Sequence, residues 1–275
     1  MGVIPARTQS SVALCADDKN WFLVNASPDL PAQIAAFSAL HPSPRTSRNS
    51  PVAAVLLTNA DLDHVLGLFL LREKGSLCLH APEPIFQVLA RDLRLPDLVK
   101  PFCRIDWHAA QSESWTSLLD ENGTPCGLKY RALPLSTKPP PYSSPTPALA
   151  GTQSVAYEMM DERTGGRIVI APDVAAITPE LLLAMSTADA VLFDGTFWSN
   201  DEFQAVTGKA RTAEDMGHLT IKDGSLKVLR DLKARHKIYL HINNTNPILN
   251  PASAERAEVE GAGLVVGHDG LEFEL

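Results

Sequence analysis

Paired cysteines are missing from this sequence. Its four, Cys15, Cys78, Cys103 and Cys126, are scattered with no C-x-x-C spacing, which argues against a zinc knuckle or redox dithiol and fits buried thiols in a reducing compartment. Positive charge is also scarce: 24 Lys and Arg stand against 32 Asp and Glu, a formal net charge of −8. With no basic cluster to offset that balance, neither nucleic acid nor an anionic membrane is an expected partner, because both reward concentrated Lys and Arg. No uninterrupted apolar run approaches the roughly 20 residues of a membrane span. The start, MGVIPARTQSS, lacks the charged head and apolar core of a secretory signal, and the sixth residue is Ala6 where a myristoylation signal carries Ser or Thr. A cytoplasmic protein is the expectation these absences leave.

What is present is ordinary globular material. At 275 residues, 45% apolar and 20% charged, the chain suits a large layered α/β domain, taken here as one domain over 1–275. Strands are expected at Ser11–Leu14, Trp21–Ala26, Val52–Leu57, Ser76–His80, Gly166–Ala171, Ala190–Phe193, Lys237–Ile242 and Gly263–Val266. Several are continuous apolar runs, the mark of strands covered on both faces. Helices are expected in VLGLFLLRE, in TPELLLAM with Thr178 as cap and Pro179 in the first turn, and in SLKVLRDLKAR with Leu226, Leu229 and Leu232 near one face. Another is expected in PASAERAEVEG, stopping at Gly261. One segment is compositionally biased: Leu133–Gly151, LPLSTKPPPYSSPTPALAG, whose proline density predicts a long surface loop, placed as a lid over a site.

Chemistry-bearing side chains gather where the apolar runs stop. TNADLDH follows VAAVLL and brings Asp63 and His64, an oxygen and a nitrogen donor on one turn, to a strand end. Asp63 also suits a helix cap and His64 a core histidine. RIVIAPDVA delivers Asp173 after a second run, KIYLHINNTNP delivers His241 after a third, and MGHLT puts His218 after a glycine. Carboxylates and imidazoles at several strand ends are more than packing requires. His41, His80, His108, His236 and His268 have no motif partners and read as structural.

An apolar strand, then TNADLDH, the proline-rich loop, APD, FDGTFW, GHLT and LHINNTNP, in that order, resembles the metallo-β-lactamase superfamily and, within it, the coenzyme PQQ biosynthesis protein B family. The resemblance runs from Ala6 to the end of the chain. It implies the four-layer αβ/βα metallo-β-lactamase fold, two mixed sheets between helices. The superfamily pattern H-x-H-x-D-H aligns to Asn59, Asp61, Asp63 and His64, and PLSTKPP stands where a further histidine would be. The resemblance therefore implies a degenerate first metal position at Asn59 and Asp61, and a second position kept by Asp63, His64, Asp173 and His241. One divalent ion is expected, with Fe(II) favoured, although two imidazoles with carboxylates and water also suit Zn(II) or Mn(II).

One further pair of roles, that of Asp194 and His218, follows from the same resemblance. Asp194 of DGTF holds the tautomer of His218, which acts as general acid or base, or else the two form a structural hydrogen bond near the metal. Arg7, Asn243 and Asn244 are candidate substrate contacts, although Asn243, Asn244 and Asn246 equally suit a turn before Pro247 and Arg7 or Lys138 equally suits solvent. The family's extra first strand, glycine-rich turn and cysteine-rich structural zinc segment have no counterpart in the sequence, so that zinc site is expected to be absent. The function implied is biosynthesis of pyrroloquinoline quinone (PQQ), by an iron-dependent oxygenase that hydroxylates the tyrosine ring of a Glu-Tyr precursor. A carrier for PQQ or its precursor and a zinc hydrolase are the alternatives, with the peptide-derived precursor or PQQ as partner and a homodimer compatible with all three.

Overall fold

The computed structural model describes residues 4–44, 49–72, 75–136, 138–144 and 150–275. Contacts divide the chain into two compact units, one of Thr8–Val155 with Met159–Gly165, the other of Met1–Arg7, Ala156–Glu158 and Gly166–Leu275. The described strands belong to a five-stranded and a seven-stranded sheet.

In the first unit, β1 (Val12–Leu14), β2 (Trp21–Val24), β3 (Val52–Leu56), β4 (Ser76–Ala81) and β5 (Arg104–Ala109) lie in chain order across the sheet. The first pair is antiparallel and the rest parallel. Val55, Leu57 and Leu79 from this region join Ile85, Val88 and Leu89 of the helix Glu83–Arg91 in one core cluster. β6 (Thr116–Leu119) and β7 (Pro125–Ser136) form an antiparallel pair, and β8 spans Ser154–Asp161.

In the second unit, β9 (Arg167–Ala171), β10 (Ala190–Asp194), β11 (His236–Leu240) and β12 (Val265–Val266) are parallel. Every residue of β10 is buried, as its unbroken apolar run predicts. Parallel strands in register bring their ends to one level: Phe193 of β10 sits opposite Ala171 of β9 and Tyr239 of β11. The site residues follow those ends.

Local signals held where one side chain decides them. Thr178 Oγ1 accepts the Leu181 amide at 3.1 Å and starts the helix Pro179–Thr187. Elsewhere the structure corrects the sequence reading. The proline-rich loop begins later than Leu133, because β7 continues through Pro134 to Ser136. A lone exposed Pro134 near a strand end removes one donor only, whereas the dense prolines come after it. Residues 137 and 145–149 of that loop, and Gly2, lie outside the described residues. Gly261 is still helical, and the left-handed residue after that helix is Gly263, φ 76°. The helix expected in VLGLFLLRE is a single α turn, Leu62–Val65, followed by a tighter 3-10 segment, Leu66–Leu70. Leu232 lies one residue past its helix, Leu226–Asp231, in extended backbone. None of the described helices is long and apolar enough to cross a membrane.

His80 shows how a polar residue is absorbed by this core. It is 6% exposed, and its Nδ1 shares a hydrogen bond with the Tyr130 hydroxyl at 2.9 Å. Burial, helped by the neighbouring His108, lowers its pKa to about 4. A depressed value means that the unfolded chain takes up a proton first as pH falls. The contribution of neutral His80 is thus complete above about pH 6.5 and is lost towards pH 4. The expected loss is about 3 kcal/mol, and urea titrations of His80→Asn should show a flatter stability profile across that window. An unchanged profile would show that His80 is not what the acid limb reports.

Candidate metal centre

The second unit assembles its polar residues around Asp194, the last residue of β10 and fully buried. Its Oδ1 accepts the Thr196 amide at 2.9 Å and the Thr196 hydroxyl at 2.6 Å. Its Oδ2 accepts the Val174 amide at 2.9 Å and His218 Nδ1 at 2.7 Å. Four donors on one carboxylate satisfy it without solvent. Burial opposes ionisation of Asp194, but His218, His241 and the Thr196 hydroxyl together hold it below the ordinary carboxylate value.

His218 reaches this position by local chemistry. Thr212 and Asp215 form a reciprocal capping box on the helix Ala213–Met216, and Gly217 at φ 89° ends it. The next residue, His218, is then tied by its amide to Ala213 O, and Leu219 N donates to Val174 O at 2.6 Å. Burial alone would lower the His218 pKa, but Asp194 and then Asp173 outweigh it and raise it.

His241 is the first residue after β11 and lies in the left-handed region, φ 56°. Such a backbone costs on the order of 1–3 kcal/mol in a non-glycine residue and has to be held. Gly195 N donates to Leu240 O at 2.8 Å, and Asn243 N donates to Thr196 O at 3.2 Å. A Cβ on Gly195 would stand 2.9 Å from Tyr239 Cβ, so the approach of the two loops needs glycine there. Asn246 Nδ2 donates to Gly195 O at 2.8 Å, and its Oδ1 accepts Ile248 N at 3.1 Å.

These constraints bring Asp173 Oδ1 to 3.7 Å from His241 Nδ1 and 3.9 Å from His218 Nε2. The His218 and His241 rings stack with centroids 5.7 Å apart. Asp173, His218 and His241 offer one carboxylate oxygen and two imidazole nitrogens, all within 4.8 Å of one another, and all three are partly exposed. That donor set fits a first-row divalent ion.

In the first unit, Asp63 and His64 stand on the short helix Leu62–Val65, with His64 Nε2 3.8 Å from Asp63 Oδ2. His64 is fully buried. Its Nδ1 meets Thr58 Oγ1 and Asn25 Nδ2, each at 3.2 Å. Asn25, φ 64°, also accepts the Thr58 amide at 2.9 Å. Asn59 and Asp61 behave as a turn: Asn59 Oδ1 accepts the Asp61 amide at 3.0 Å, and the Tyr142 hydroxyl donates to Ala60 O between them.

Among the other candidates, Arg7 Nε donates to Gly267 O at 3.1 Å. Burial, with nearby Arg256, lowers the Arg7 pKa. Asn244 and Lys138 are exposed. The sequence reading passed over Thr196, Gly195, Thr58 and Asn25, which hold the candidate ligands without being ligand types. The only trace of the first two was the quoted DGTF.

The family model for the beta-lactamase superfamily domain matches residues 20–242. Coenzyme PQQ synthesis protein B of Cupriavidus necator is 38% identical over 272 residues, covering 98% of this chain and 88% of that one. The protein of the same name from Pseudomonas protegens is 37% identical over 282 residues, with the same coverage. The crystal structure of Zn(2+)-bound PqqB from Methylobacterium extorquens superposes with TM-score 0.81 at 32% identity, covering 98% of this chain and 87% of that one. A diphosphatase from the PhnP family, TM-score 0.64 at 19% identity, shares the fold.

A raised His218 value gives a testable pH dependence. In metal-free protein the charged His218–Asp194 pair contributes fully below about pH 6.5, and that contribution is lost as pH rises through the raised folded value. NMR titration should place the His218 imidazole above about 6.5, and Asp194→Asn should lower it, because only Asp173 then remains to oppose burial. Coincident titrations in the two proteins would remove Asp194 as the cause.

Proposed function

The chain belongs to the beta-lactamase superfamily, with the metallo-β-lactamase fold of two mixed sheets flanked by helices, and within it to the coenzyme PQQ synthesis protein B family; from that premise we propose that it acts in PQQ biosynthesis as a metal-dependent oxygenase. The substrate is a small peptide-derived precursor whose tyrosine ring is hydroxylated. One atom of O2 enters the ring, the other leaves as water, and a two-electron reductant of the ascorbate class supplies the balance.

The observation that carries this reading is the meeting of Asp173, His241 and His218 on the Asp194 anchor. The order of the superfamily pattern along the chain implies Asp63, His64, Asp173 and His241 as the residues that would hold one ion, with Fe(II) favoured. When bound, such an ion supplies Lewis acidity and, in the case of iron, activation of O2. His218 serves as the proton carrier. Its Nδ1–H donates a hydrogen bond to Asp194, so exchange with substrate takes place at Nε2, and neighbours that favour the protonated form make it a better proton carrier than ligand. Phe197, packed edge-on at 5.7 Å, limits how the ring can turn.

A second reading, a zinc-dependent hydrolase, draws on the Zn(2+)-bound relative. Against a two-metal hydrolase stand Asn59 and Asp61 where the superfamily pattern has histidines, and the engagement of Asn59 in its own turn.

The test is anaerobic reconstitution with Fe(II), verification of metal content by elemental analysis, and exposure to O2, ascorbate and a Glu-Tyr dipeptide, followed by mass spectrometry. Addition of one oxygen atom per turnover is expected, with His241→Ala losing both the metal equivalent and the product. No added oxygen in fully loaded protein would end the oxygenase reading. Ester turnover with Zn(II) would then point to the hydrolase, and PQQ binding that survives His64→Ala and His241→Ala would point to a carrier.

A further inference from the structure

The Thr196 hydroxyl lies within hydrogen-bonding distance of three groups but has one proton. It is 2.6 Å from Asp194 Oδ1, 2.8 Å from His241 O and 2.8 Å from His241 Nδ1. The first two are acceptors only. Asp194 already takes a backbone amide on each oxygen and His218 on one, so it stands as the acceptor at the centre of the group. A contact of 2.6 Å between two oxygens needs a proton between them. The Thr196 proton is therefore used towards Asp194, or shared with His241 O, and neither arrangement leaves a proton for His241 Nδ1.

We propose that Thr196 is a positioning residue: by accepting a hydrogen bond from His241 Nδ1–H it fixes the imidazole in one tautomer and leaves Nε2 as the nitrogen able to bind metal. The proposal rests on the reading of His241 as a ligand. Asp194 then orients both histidines, His218 directly and His241 through one hydroxyl. Thr196 is 6% exposed, so water is poorly placed to take over this role. Histidine ligands depend on such partners for ring orientation and basicity, and losing one typically weakens metal affinity about 10–100-fold.

The experiment compares wild type, Thr196→Ser and Thr196→Val. Long-range 15N–1H NMR of the histidine side chains in metal-free protein above pH 8 reads which His241 nitrogen carries the proton. Competition with a chromophoric chelator reads Zn(II) affinity, and thermal unfolding confirms that each variant is folded. The proton is expected on Nδ1 in wild type and Thr196→Ser. In Thr196→Val it redistributes, and Zn(II) binding weakens by about 10–100-fold with most of the loss restored in Thr196→Ser. A wild-type proton on Nε2 overturns the proposal even if the valine variant does not fold. Affinity in folded Thr196→Val within twofold of wild type overturns it as well. A wild type that binds no Zn(II) or Fe(II) while His241 keeps its Nδ1 proton would instead count against the metal reading, which separates the two failures.

Discussion

A buried carboxylate with four hydrogen-bond donors governs the second unit of this protein. Asp194 is fully buried, and such a group is costly unless every lone-pair direction is used. Here the donors come from three places: the Val174 amide after β9, the amide and hydroxyl of Thr196 after β10, and the imidazole of His218 after a capped helical turn. Because Thr196 also meets His241, the end of β11 is joined to the same anchor. Asp194 thus fixes where three strand-end loops lie, and the chemistry-bearing residues inherit their positions from it.

The first unit reaches a similar end with a neutral group. Asn25 follows β2 in the left-handed region and uses both ends of its amide on Thr58, while Thr58 and Asn25 meet His64 Nδ1. In each unit a candidate ligand histidine has a threonine hydroxyl at its Nδ1, and in each a left-handed residue turns the chain just past a parallel strand. Asn and His are among the side chains that enter that region more readily than most. The two threonines answer one geometric need: a short hydroxyl reaches an imidazole nitrogen beside a strand end.

Much of this was legible in the sequence, for reasons that also explain what was not. β3, β9 and β10 announce themselves by apolar runs that are largely buried, β11 by the shorter run Ile238–Leu240, and the candidates Asp63, His64, Asp173 and His241 were found by looking where those runs stop. β5 carries Arg104, Asp106 and His108 at the far edge of its sheet, β7 contains Gly127 and Pro134, and β8 buries Glu158 beside Arg167, so none of the three shows a clean period. Thr196 and Asn25 were invisible for a different reason. Neither is a ligand or nucleophile, and their partners are remote: 45 residues separate Thr196 from His241, and 39 separate Asn25 from His64. Only a fold that brings strand ends together gives such residues a role.

The same organisation bears on the proposed difference between the two metal positions. Asn59 and Asp61 lie in a turn that closes on itself, through Asn59 Oδ1 to the Asp61 amide, with Tyr142 bracing Ala60 from the proline-rich segment. The contacts at His64 Nδ1 run back to Asn25 after β2 and to Thr58, the last residue before the turn, whereas the turn itself holds His64 by its backbone, through the His64 amide to Asp61 O at 2.9 Å. A change of side chain at Asn59 or Asp61 alters local hydrogen bonding without removing Asn25 or Thr58 from His64 Nδ1. Asp194 offers no such freedom. Its loss would release Thr196 and His218 together and leave two backbone amides without their acceptor. Constraint in this chain follows how many groups a residue holds in place more closely than whether it can itself bind an ion.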